Sequence, residues 1–189
     1  MAKRLRIHSM THCYHEAGHA VAFWHHGIEI EYVTMNSSNP GHSGETKTVD
    51  HETASLAQIE AEMQCAAAGE IAAKSLSLLS KERTDDGLIQ LFTRYARGLP
   101  EDPNLWVTDG LIFAGMGLKR DAEIRKAAKD AAIGPETWLP IFREAERLIE
   151  DELWLAVKAV AYELTRSTVD LCNENIAIIA ATALKQVAG

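Results

Sequence analysis

Tyr14-His15-Glu16-Ala17-Gly18-His19-Ala20-Val21 sits in a stretch, Thr11 to His26, that no proline interrupts. Within it Cys13, Ala17, Ala20, Val21 and Trp24 recur at three- and four-residue intervals, the period of a helix with one buried face. Gly27 supplies the stop. Once this stretch is helical, the direction of its histidines follows. His15 and His19 are four residues apart, so they share a face, about 5 to 6 Å apart, and both rings can reach one tetrahedral ion.

Zinc suits that pair. Imidazole binds it at about 2.0 to 2.1 Å, and a catalytic zinc needs three protein ligands, which leaves a fourth position for water. Glu16, beside His15, is placed to act as a general base, taking the proton of that water and passing it to a leaving amine. The third ligand lies outside the motif. Gly18 costs about 1 kcal/mol relative to alanine inside a helix, which predicts that another backbone comes close there.

Outward from the motif, Ile28 to Met35 alternates apolar and polar residues and reads as a half-exposed strand. A run of turn formers from Asn36 to Gly44 follows, and Glu45 to Val49 can return as a second strand, giving a small sheet beside the helix. Thr53 or Ser55 can cap a long helix reaching about Leu79, and Thr84 a further one from Asp85 to Arg97, ended by Gly98 and Pro100. Beyond the polar stretch Glu101 to Asn104, helical patterns resume over Asp121 to Ala132, Glu136 to Ser167 and Asn173 to Val187. The expected fold is therefore mainly α with a small β-sheet beside the motif helix.

Composition bounds the rest. With 47% hydrophobic and 24% charged residues, the 189-residue chain is too apolar for disorder and suits one domain over 1–189, with a metal-site part (1–100) and a helical C-terminal part (101–189). A net charge of −8 and no long basic run argue against nucleic-acid partners. No segment offers the roughly 20 apolar residues of a membrane span. The basic start Lys3-Arg4-Leu5-Arg6 lacks a following apolar export core. Cys13, Cys65 and Cys172, odd in number and widely spaced, suit reduced thiols. A cytoplasmic location is expected.

The eight residues from Tyr14 to Val21 resemble the motif helix of the FtsH-type zinc peptidases. Three further features follow in that family's order: the strand after the helix, Ala67-Ala68-Gly69-Glu70-Ile71-Ala72, and Thr84-Asp85-Asp86, so the likeness covers roughly residues 10 to 100. It implies a zinc-dependent endopeptidase with His15, His19 and Asp86 as ligands and Glu16 as the catalytic base. Asp85 is the near alternative to Asp86, and both acids also suit a helix start. Two departures stand out: Ala73 occupies the place of a family glutamate, and no phosphate-binding loop of an ATP-driven unfolding domain occurs. Glu70 could orient a ligating histidine from one turn away, or be a solvated glutamate.

The implied activity is ATP-independent hydrolysis of flexible or unfolded polypeptides, and the alternative is a catalytically silent binding or regulatory module on the same fold. The expected partner is a polypeptide, with homo-oligomerisation left open. By analogy with such peptidases, Glu29 to Met35 is the candidate edge for backbone pairing with substrate.

Overall fold

A computed structural model describes residues 10–36, 44–50, 55–74, 84–105, 108–128 and 133–186. The protein is mainly helical, with a two-stranded antiparallel sheet. Helix α1 (Met10–His25) carries the motif and is followed by β1 (Ile30–Thr34), β2 (Glu45–Thr48), α2 (Leu56–Lys74) and α3 (Asp85–Arg97). Then come α4 (Asp109–Ala127), α5 (Leu139–Arg147), α6 (Trp154–Arg166) and α7 (Asn173–Lys185). Short 3-10 turns at Pro103–Leu105 and Pro135–Trp138 and a π-helical turn at Leu148–Glu152 link the later helices.

The end of α1 is set by Gly27, whose φ of 69° is the left-handed conformation that glycine adopts without strain. Its N–H donates to the Trp24 carbonyl and that of Ile28 to the Phe23 carbonyl, which satisfies the orphan carbonyls of the last turn. Ser55 caps α2, its hydroxyl accepting from the Gln58 N–H at 3.2 Å, whereas Thr53 lies outside the described residues. Thr84 caps α3 as its sequence predicts, accepting from the Gly87 N–H. The expected continuation of α2 to Leu79 also falls outside the described residues.

α1 is packed between α2 and α6, and α2 continues the core onto α4 and α5. Gly18 is where α1 and α2 come closest: a Cβ there would stand 2.5 Å from the Ala68 carbonyl oxygen and 2.7 Å from the Ala72 Cβ. The backbone approach expected from that glycine is present, and it brings α2 within reach of the motif histidines. Cys13 and Cys65 are fully buried in this layer, while Cys172 is exposed.

Two expectations for the C-terminal part need correction. The helix read as starting at Asp121 starts twelve residues earlier by sequence number, at Asp109, with Thr108 as its cap, and the stretch 129–132 lies outside the described residues. The glycines that disguise this helix are packing sites. A Cβ on Gly110 would meet the Tyr95 ring at 2.3 Å, and one on Gly117 would meet the Trp138 indole at 2.5 Å. The stretch Glu136 to Ser167 is likewise broken into a 3-10 turn, α5, the π-helical turn and α6.

β1 pairs with β2 in the register Tyr32↔Lys47, Val33↔Thr46 and Thr34↔Glu45. Its other edge is met at Val33, which exchanges backbone hydrogen bonds of 2.8 and 2.9 Å with Leu171. The candidate edge Glu29 to Met35 is thus flanked on both sides, and among the described residues the strand paired on one side only is β2. No described helix is long and apolar enough to cross a membrane.

Candidate metal centre

Helical periodicity brings the His15 and His19 rings to a centroid separation of 4.8 Å, with their Nε2 atoms 3.2 Å apart. Into the same point comes a carboxylate from α4: Asp109 Oδ2 lies 3.1 Å from His15 Nε2 and 3.3 Å from His19 Nε2. These three residues form a group that could hold a metal ion, and among the described residues they are the group of His, Cys, Asp or Glu side chains so arranged. Asp109 is the first residue of its helix, held there by the Thr108 cap, whose hydroxyl accepts from the Leu111 N–H.

The sequence expectation placed Asp86, or Asp85, in this role. The structure brings neither to the imidazoles. Asp85 instead binds Arg143, whose Nη2 lies 2.6 Å from Asp85 Oδ1, and Asp86 is exposed on the first turn of α3. The reason is tertiary: α3 packs against α4 and α5, so its N-terminus faces the arginine of α5, and the neighbouring helix N-terminus, that of α4, reaches the histidines. Asp109 carries the same local signature as Asp85, a threonine cap followed by an acid. Reading α4 from Thr108 would have offered it as a candidate. Asp109 also comes from the helical C-terminal part (101–189), outside the expected metal-site part (1–100).

Each imidazole is held differently. His19 is buried, and its Nδ1 lies 2.8 Å from the Cys65 carbonyl oxygen on α2, so that nitrogen donates and Nε2 is the ring nitrogen that faces Asp109 and His15. Gly69 makes room for the ring, since a Cβ there would stand 2.2 Å from His19 Nε2. His15 is more open, its side chain 25% exposed. Glu70, considered as an orienting partner, does not take that role at His19, whose Nδ1 partner is the Cys65 carbonyl. It lines the adjoining cavity instead.

Burial alone would push the His19 imidazolium down. The Asp109 carboxylate, its hydrogen bond, the Glu16 charge and the Cys65 carbonyl together outweigh it and lift the group to about 9. Burial likewise works against the Asp109 carboxylate, but His19 and His15 hold it well below the usual carboxylate range. The cluster therefore favours positive charge on His19 beside the carboxylates of Asp109 and Glu16.

Glu16 is buried on the neighbouring face of α1 and is oriented by the sheet. The Thr46 hydroxyl of β2 donates to Glu16 Oε2 at 2.8 Å. Gly44, just before β2, passes so near that a Cβ would stand 2.6 Å from Glu16 Cγ. The candidate base is thus fixed by β2.

A scan of protein-family models gives no match to the chain, and a search of curated proteins finds none that matches it.

Proposed function

We propose that this protein is a zinc-dependent endopeptidase in which His15, His19 and Asp109 hold the metal and Glu16 is the general base. The observation that carries the reading is the convergence of His15 Nε2, His19 Nε2 and Asp109 Oδ2, separated by 3.1, 3.2 and 3.3 Å. Tetrahedral ligands about 2.0 to 2.1 Å from zinc are about 3.3 Å from one another, so the three separations are those of one face of such a site. Two imidazoles and one carboxylate, with a fourth position open, form a donor set of the catalytic kind.

A bound zinc would polarise a scissile carbonyl and make an attacking water more acidic. Glu16 would accept the proton of that water and return it to the leaving amine, while the Thr46 hydroxyl keeps the carboxylate turned to one rotamer. The Cys65 carbonyl fixes the tautomer of His19. An extended substrate would lie alongside β2, the strand that carries Thr46, which keeps its backbone beside Glu16. The proposed substrates are unfolded or flexible polypeptides.

A second reading is favoured by the same contacts. The pairing of a charged His19 with Asp109 could tie α1 to α4 without metal, on a silent binding module. The test is hydrolysis of unfolded casein by zinc-loaded protein and by Glu16→Gln. The peptidase reading predicts activity in the first, and in the second a loss of at least about a hundredfold with zinc retained. A zinc-loaded wild type without activity would leave the binding module.

A further inference from the structure

Tyr95 of α3 joins His15 and Asp109 in the wall of a cavity of about 840 Å³. The volume lies within the range of small-ligand sites, and polar side chains, Glu70, Gln90 and Arg94 among them, share the wall with apolar ones. The place of the Tyr95 ring is set by Gly110, the residue after Asp109. A Cβ on Gly110 would stand 2.3 Å from Tyr95 Cζ and 2.4 Å from Cε2, so the hydroxyl end of the ring is the part pressed against the start of α4. The phenol thus meets the chain one residue from the carboxylate of the donor group. Tyr95 is half-buried, and among the described residues its hydroxyl has no hydrogen-bond partner and is not shut off from solvent. An O–H donor therefore stands at the cavity wall without a protein acceptor.

Peptide hydrolysis has a use for such a donor. As water adds to the scissile carbonyl carbon, the new C–O bond forms, the π pair of the C=O bond moves onto oxygen, and Glu16 takes the water proton. When the C–N bond then breaks, that pair rebuilds the carbonyl of the acid product and the proton goes to the leaving nitrogen. Negative charge stands on the carbonyl oxygen only between these two events, so a donor aimed at it lowers the barrier without strengthening substrate binding. Glu16 is not part of the cavity wall and is held by Thr46 of β2, which leaves the cavity side of the donor group to another residue. We propose that Tyr95 is a catalytic residue whose hydroxyl donates to this oxygen and keeps its own proton throughout. Arg94, its neighbour in the chain and in the wall, is exposed, whereas Tyr95 is seated against the start of α4. The assignment rests on the peptidase reading.

The experiment uses zinc-loaded full-length wild type, Tyr95→Phe and Arg94→Gln. The probes are a casein peptide that the wild type cleaves and its phosphinic analogue, in which a tetrahedral, anionic phosphinate replaces the scissile amide. Tyr95→Phe removes only the hydroxyl and keeps the ring on Gly110, so thermal stability and zinc content are expected to match the wild type. In this variant kcat is expected to fall at least about tenfold, with KM moved less than about threefold and the affinity for the phosphinate lowered by a factor similar to that in kcat. Arg94→Gln is expected to keep both. A smaller fall in kcat, a fall in kcat with phosphinate affinity unchanged, or an equal loss in Arg94→Gln overturns the assignment of Tyr95 and leaves the peptidase reading intact. If the zinc-loaded wild type cleaves no casein peptide, the peptidase reading itself fails, and the assignment of Tyr95 falls with it.

Discussion

His19 hands one ring nitrogen to the backbone of another helix: its Nδ1–H donates to the Cys65 carbonyl at 2.8 Å, across the point where α1 and α2 touch. A single hydrogen bond therefore couples the packing of two helices to the tautomer of a proposed metal ligand. In metal-loaded protein, His19 is expected to carry its proton on Nδ1, in slow exchange with water, visible in long-range proton–nitrogen correlation spectra. A proton on Nε2 would contradict the ligand assignment.

Gly69 must stay small for that ring to stand where it does. In Gly69→Ala the new Cβ would fall 2.2 Å from His19 Nε2. Zinc affinity is expected to drop at least about tenfold, measured by competition with a chromophoric chelator. Gly18→Ala, which meets the Ala68 carbonyl oxygen at 2.5 Å, is expected to cost about 1 to 3 kcal/mol of stability in urea unfolding. Wild-type metal affinity in Gly69→Ala would show that the ring lies elsewhere.

Stability should depend on pH differently in the two metal states, falling without metal and staying nearly level with it. In metal-free protein His19 is lifted from its ordinary 6.5 to about 9. The folded state therefore holds that proton more tightly, so the contribution is complete below about pH 6.5 and is lost as pH rises through about 9. Urea unfolding with a chelator present should show stability falling over this window by at most about 3 kcal/mol. With zinc present the ligand must be deprotonated, and the metal's contribution should grow over the same window. Parallel slopes with and without metal would remove His19 from the site.

The Thr46 hydroxyl orients Glu16 through a 2.8 Å hydrogen bond to Oε2. Thr46→Val is expected to lower kcat about tenfold, with zinc content unchanged and KM moved less than kcat, and Thr46→Ser to restore it. An unaltered kcat in Thr46→Val would mean that the carboxylate needs no such guide.

Much of this architecture is written locally. Residues 11 to 26 carry an unbroken helical period with a glycine stop, Thr84 and the acids after it mark the start of α3, and Ile28 to Met35 contains β1. In each case the signal is complete within a few residues of chain. The carboxylate of the candidate site is different. Thr84-Asp85 and Thr108-Asp109 are equivalent helix starts in sequence, and the choice between them is made by packing: Arg143 of α5 takes Asp85, and α4 delivers Asp109. Gly110, Gly115 and Gly117 further conceal α4, because glycine weakens a helical reading while Tyr95 and Trp138 require the space at two of these positions. Such contacts exist only once distant helices have met.

The most direct test of the central claim is the zinc content of wild type, His19→Ala, Asp109→Asn and Asp86→Asn, purified side by side and measured by elemental analysis. A site built by His15, His19 and Asp109 predicts about one zinc per chain in wild type and in Asp86→Asn, with the metal lost in His19→Ala and lost or strongly weakened in Asp109→Asn. Metal retained in Asp109→Asn but lost in Asp86→Asn, or no zinc in wild type even after reconstitution, would contradict it.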